Sequence, residues 1–308
     1  MSIAENGAII VGALGPIFSL ILLGYGLKVY RFPGEAFWPA AEKLTYFLLL
    51  PALLVNKLAL AELGNYAIGP FAGVIVLGLG LATLILFLLR PLIGVDGPAF
   101  SSIYQGGIRF NTYVGLAAAS ALFHTPGSTL AALAMAVLIP LINVLCVGVL
   151  THATGATGTL HVMGQLLRNP LLLACVLGIL LNVSGLRLPL GSAAVLDILA
   201  RAALPLGLLA VGAGLQISGT LPQMRALLVS SAFKLLIMPT LFGGLAWVVG
   251  VNDLELAILV LFAALPGATS AYILARQLGG DAPLMAAIVT VETAASMVTL
   301  PVILLLLV

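Results

Sequence analysis

Apolar residues in this chain come in long uninterrupted runs, divided by short clusters of glycine, proline and charge. A helix crossing a hydrocarbon core of roughly 30 Å needs about 18 or more such residues at 1.5 Å each. Breaking the sequence at the clusters predicts ten spans, near residues 7–30, 37–61, 66–90, 101–123, 129–151, 166–186, 197–217, 226–249, 254–276 and 283–307. The expected fold class is therefore an all-α polytopic membrane protein.

Ten crossings put both termini on one side. Lys28, Arg31, Arg90, Arg168, Arg225 and Arg276 fall at odd-numbered connections, while the even-numbered ones carry little beyond Lys57, Arg187 and Arg201. Basic residues are held back on the cytoplasmic side. The odd connections are thus expected inside, with both termini outside, across a cell (inner) membrane. Five spans followed by five force the second half, 166–308, to insert upside down relative to the first, 1–151, with 152–165 as a short cytoplasmic connection. At an offset of 154, Pro16 falls on Pro170, Gly24 on Gly178 and Pro51 on Pro205, as an inverted repeat predicts.

Composition agrees. The 308 residues are 62% hydrophobic and 7% charged, with a mean hydropathy of +1.25, whereas a soluble domain is about a quarter charged. A net charge of +2 points to no nucleic acid or acidic partner. The start, Met1-Ser2-Ile3-Ala4-Glu5-Asn6, lacks the basic opening of a cleaved signal, so the first run reads as a retained span. Cys146 and Cys175 lie in apolar runs and read as buried hydrophobes. His124, His152 and His161 sit in connections without metal-ligand spacing, and no cofactor is implied. No intramembrane-protease or hydrolase constellation occurs, so an enzyme is not expected.

Transporters built from inverted repeats bind their cargo near the midplane, where broken helices meet. Two spans are interrupted. The fourth contains Gln105-Gly106-Gly107-Ile108-Arg109-Phe110-Asn111-Thr112-Tyr113, and the ninth Leu265-Pro266-Gly267-Ala268-Thr269-Ser270-Ala271-Tyr272. Under the same offset Thr112 falls on Pro266, so the interruptions occupy equivalent depths. Pro266-Gly267 should open its helix and free backbone groups, and the half-helix that follows offers N–H groups and a positive dipole end suited to a carboxylate. Asn111 and Asn143, the latter beside Pro140, can add amide donors; the structural alternative is that they only glue helices together. Three ionisable residues lie deep in spans: Arg109, Lys234 and Glu292. Intramembrane charges are functional candidates by default. Glu292 is read either as a proton carrier or as one half of a structural ion pair with Lys234 or Arg109. Arg109 either attracts an anion or snorkels to the surface. Glu42 and Lys43 are read as interfacial, and Asp253, Glu255 and Asp281 as solvated connections.

These segments resemble the auxin efflux carrier family, which includes plant PIN-type carriers and bacterial malonate and malate permeases. The resemblance is carried by QGGIRFNTYVGL (residues 105–116), Leu50-Pro51-Ala52-Leu53-Leu54, the stretch from Ala203 to Leu215, and Pro266 to Pro301 with Ala271-Tyr272-Ile273-Leu274-Ala275 and Gly279-Gly280-Asp281. It implies two inverted five-helix repeats in which helices 4 and 9 cross as broken helices. It also implies a scaffold of helices 1, 2, 6 and 7, a transport domain of helices 3–5 and 8–10 moving elevator-fashion, and a homodimer. Matched by motif, Asn111 corresponds to the family's crossover Asn, Asn143 to its helix-five Asn and Pro266 to its second crossover proline, with Thr269 just beyond. The sequence departs from the plant carriers in having Phe110 rather than proline before Asn111, and in lacking their long central loop.

The expected function is secondary transport of small organic anions, mono- or dicarboxylates, bound at the crossover by Asn111, Thr112, Asn143, Pro266, Gly267, Thr269 and Arg109. A coupling proton or sodium ion is left open. The alternatives are a sodium-coupled bile-acid-type symporter, which needs acidic ligands around the crossover, and a membrane ligand sensor without transport.

Overall fold

The computed structural model describes residues 3–154, 169–186, 191–216 and 223–307. Most of the expected connection 152–165 with His161, and the charges Arg168 and Arg187, lie outside the described residues. Among these, regular structure is helical throughout, with no strand. The helices are α1 (Ile3–Val29), α2 (Phe37–Leu44), α3 (Leu50–Ala59), α4 (Ile68–Ile93), α5 (Gly97–Ile108), α6 (Thr112–Thr154), α7 (Pro170–Ser184), α8 (Ser192–Gly214), α9 (Met224–Ala232), α10 (Met238–Val249), α11 (Asp253–Ala264), α12 (Ser270–Leu278) and α13 (Ala282–Leu305). Seven helical stretches of the described residues are long and apolar enough to cross a bilayer, and Pro170–Ser184 is a shorter apolar helix. The chain is a multi-pass membrane protein.

Two joints inside spans share one cause. Residues Thr45–Leu49, between α2 and α3, and Phe233–Ile237, between α9 and α10, form single π-helical turns. Each is followed, after one further residue, by a proline: Pro51 and Pro239. Proline has no N–H to give, and its ring clashes with the carbonyl four residues back. Widening the preceding turn moves that carbonyl aside, so the helix runs through the proline without stopping. A third joint divides α6, whose 43 residues would measure about 65 Å if straight. His124, two residues before Pro126, has φ 52° and ψ −138° and turns the chain there.

Helix starts are capped by short polar side chains. Asp96 accepts from the Ala99 N–H, Asn169 from Leu171 and Leu172, and Asp281 from Leu284. Glu255 is fully buried, contrary to its reading as a solvated connection residue. Its carboxylate closes a capping box with Asn252 and also accepts the Ala67 N–H at 2.8 Å, which ties the start of α11 to the start of α4. Both oxygens are engaged by backbone donors, and this is what allows a carboxylate to be buried there. Asp281 is likewise engaged, donating its own N–H to the Pro98 carbonyl at 3.3 Å.

The helices fall into two groups, which also touch where α1 meets α6 and α13 and where α6 meets α3, α7 and α8. In one, α1 lies along α8, and α3 lies along α7 and α8; in the other, α10 packs on α11 and α4, α5 on α6, α9 and α13, and α11 on α6. Asn182 secures the first group by donating to the Ala59 and Ala61 carbonyls at 3.2 and 2.6 Å. Glycines set its closest seams, and a Cβ on Gly212 of α8 would overlap the Ile21 carbonyl of α1. Gly24 of α1 lies so near the Leu209 backbone of α8 that a Cβ would overlap it, and a Cβ at Gly178 of α7 would come within 3.3 Å of the Val55 Cα and carbonyl of α3.

Candidate functional site

The second helix group contains both interruptions anticipated from the sequence, and they touch. The first is Arg109-Phe110-Asn111, between α5 and α6; the second is Leu265 to Thr269, between α11 and α12. The Asn111 N–H donates to the Pro266 carbonyl at 2.8 Å, so each break supplies a partner to the other. Phe110 and Phe262 meet edge to face, with ring centroids 5.3 Å apart.

The two half-helices that leave the breaks begin differently. At α6 the Asn111 side-chain oxygen accepts from Tyr113 and Val114 N–H at 3.1 and 3.2 Å, an N-cap. Asn111 is therefore partly committed to its own helix. At α12 no side chain caps the start. Its first bonds are Ala271 N–H to Ala268 O and Tyr272 N–H to Thr269 O, which leaves the N–H groups of Ala268, Thr269 and Ser270 without partners among the described residues. These three residues line two small cavities against the crossover.

The first cavity, about 60 Å³, is bounded by Arg109, Thr112, Asn143, Tyr46, Asn169 and the α12 start. Arg109 is 9% exposed. One guanidinium nitrogen donates to Asn143 Oδ1 at 3.0 Å, while its Nε is buried without a partner. No carboxylate oxygen of the described residues lies within 4.0 Å of it. The second cavity, about 40 Å³, is bounded by Asn111, Thr112, Thr269, Tyr46 and Glu42. Thr269 Oγ1 donates to Glu42 Oε1 at 3.4 Å.

Behind the second break is a buried polar cluster. Gly267 N–H donates to Glu292 Oε2 at 2.8 Å and Ser230 Oγ to Glu292 Oε1 at 3.4 Å. A Cβ on Gly267 would stand 2.8 Å from that Oε2, so any larger residue there would have to displace the carboxylate. Lys234, in the π-turn before α10, is also fully buried and interacts electrostatically with Glu292, without a carboxylate oxygen of the described residues within 4.0 Å. Gln105, one turn before Arg109, is buried with both amide atoms unpartnered.

The structure thus gathers Arg109, Asn111, Thr112, Asn143 and Thr269 at the cavities, Pro266 at the contact between breaks, and Gly267, Glu292 and Lys234 in the cluster behind. Sequence reasoning missed Glu42, Tyr46 and Asn169. Glu42 is not interfacial: it is half-buried and faces the crossover from α2. Its charge inside an apolar span was the available signal. A larger cavity of about 730 Å³, between the N-terminal end of α1, the start of α11 and the end of α13, is lined by none of the candidate residues.

A many-pass helical bundle with a polar site between two broken helices is an arrangement that membrane transporters use. Residues 157–304 match the family described as Membrane transport protein, in keeping with the resemblance of the crossover segments to the auxin efflux carrier family. The chain is also similar to an uncharacterized transporter of Methanothermobacter thermautotrophicus, 26% identical over 298 residues that cover 92% of this chain and 94% of that one.

Proposed function

We propose that this transporter carries small organic anions across the cell membrane as a secondary carrier, binding a carboxylate at the contact of its two broken helices. The observation that carries the reading is Arg109: a buried guanidinium with an unpartnered nitrogen, no carboxylate partner among the described residues, and a cavity beside it. Burying an uncompensated cation is expensive, and an arriving carboxylate removes that cost. Asn143 holds the guanidinium from behind, and the open α12 start adds partnerless N–H groups and a positive helix end.

The proposed architecture is ten crossings in two inverted repeats, with both termini outside. Three features support it. The kink at His124 splits a stretch too long for one crossing. The pairs α5 with the first half of α6, and α11 with α12, each form one crossing interrupted at its middle. The seam contact Gly24 with Leu209 maps, under the offset of 154, onto Gly178 with Val55, the other seam. The helix group of α1, α2, α3, α7 and α8 is the proposed scaffold, where two copies pair, and the other group slides against it as an elevator. Glu292 with Lys234 is the proposed coupling site for a proton or sodium ion, because it grips the Gly267 N–H at the break that shapes the anion site.

The test is carboxylate uptake by the protein reconstituted in liposomes. Arg109→Ala and Asn143→Ala are expected to reduce uptake at least about tenfold while the purified variants keep a normal gel-filtration profile. Unchanged uptake by both would sink the proposal.

A further inference from the structure

Resting on the carboxylate site proposed above, but replacing a net anion as its cargo, we infer that the substrate is a zwitterion, a small amino acid whose carboxylate meets Arg109 and whose ammonium meets Glu42. The two cavities at the crossover share Tyr46, Thr112, Leu171, Ala268 and Ser270 as walls, so they are adjoining compartments of one space. One compartment ends on the guanidinium of Arg109, the other on the carboxylate of Glu42.

Each charge lacks its complement. Arg109 is nine-tenths buried with an unpartnered Nε. Among the described residues Glu42 makes no ion pair within 4.0 Å and accepts one hydrogen bond, from Thr269, that is 3.4 Å long, beyond the usual range for an O–H donor. The two charges do not pair with each other either. A ligand that carries both signs satisfies both.

The remaining walls sort by the same polarity. Around Arg109 stand donors, the partnerless N–H groups of Ala268 and Ser270. Around Glu42 stand hydroxyls, those of Tyr46 and Thr269, whose oxygens can accept from an ammonium. A second carboxylate in the Glu42 compartment would meet a like charge, so dicarboxylates are selected against. A ligand with no ammonium leaves Glu42 unpaired, and a site built around a polar partner rejects analogues that lack it. Cavities of about 60 and 40 Å³ restrict the ligand to the size of glycine, alanine or serine.

The experiment is a thermal-shift titration of the purified protein with glycine, L-alanine and L-serine, set against propionate, L-lactate and succinate. At least one amino acid is expected to raise the melting temperature and to bind about tenfold or more tighter than lactate, propionate and succinate. Glu42→Gln is expected to cut that preference below about threefold while still binding carboxylates; Arg109→Gln is expected to bind neither set. Lactate, propionate or succinate binding as well as the amino acids overturns the zwitterion and leaves the anion carrier standing. Silence from both sets overturns both. If Glu42→Gln fails to fold, the wild-type ranking of alanine against lactate decides alone.

Discussion

Glu292 meets a backbone N–H, a serine hydroxyl and the field of a lysine in one buried cluster. Removing one member of such a group leaves the others uncompensated, and for buried charges that penalty is about 3–5 kcal/mol. Glu292→Leu is therefore expected to destabilise the protein by about that amount in SDS-titrated unfolding, and adding Lys234→Met to recover part of the loss. Additive losses would mean that the two side chains are not coupled. Gly267→Ala should cost roughly 1–3 kcal/mol in the same assay, because its methyl occupies the space of the Glu292 carboxylate. At this scale the sequence was legible where chemistry is local. Pro266-Gly267 marks a break by its own backbone properties, and charges in an apolar span declare themselves. The role of Asn111 was only half legible, since an asparagine amide can face a ligand or cap its own helix, and here its oxygen caps. Glu42 was misread because its neighbours at the site come from residues 227 positions away.

Among the elements, the π-turns before Pro51 and Pro239 deserve a direct test, because each places a site residue. Tyr46 lies in the first and lines both cavities, and Lys234 lies in the second beside Glu292. Pro51→Ala restores the missing N–H and removes the reason for the wide turn. A regular α-helix there would rotate the preceding residues by about a quarter turn or more. The variant is expected to melt at or above the wild-type temperature, since alanine is the better helix former by up to about 3 kcal/mol, yet to bind substrate more weakly. A parallel loss of stability and binding would refute this separation. That the chain is built of apolar, membrane-length helices was readable from apolar runs alone, because lipid demands continuous helix. The wide turns were not, since proline in an apolar span signals a kink without saying how its carbonyl is accommodated.

For the whole molecule, the elevator proposal requires that the two helix groups move relative to each other. A Cβ on Gly7 of α1 would lie 4.0 Å from Leu305 Cδ1 of α13, so Gly7→Cys with Leu305→Cys places two thiols within reach of a short, reducible bis-thiosulfonate cross-linker that joins the groups far from the site. Bridging that pair is expected to stop uptake, reversibly on reduction, whereas a bridge within one group, Ala59→Cys with Asn182→Cys, is expected to leave it running. Uptake that survives the first bridge would rule out sliding between these groups. The offset of 154 was visible in the sequence as a few matched prolines and glycines; what it could not convey is that Gly24 and Gly178 face each other's counterparts. Both close seams, α1 on α8 and α3 on α7, join one half of the chain to the other, and neither lies within a half. The covalent connection between the halves is thus a minor part of what keeps them together. Two genes encoding residues 1–151 and 166–308 separately should yield partners that co-purify from the membrane through an affinity tag on either one. Such pairing is what a gene duplication would inherit from a half-length ancestor that inserted both ways up and met its own copy.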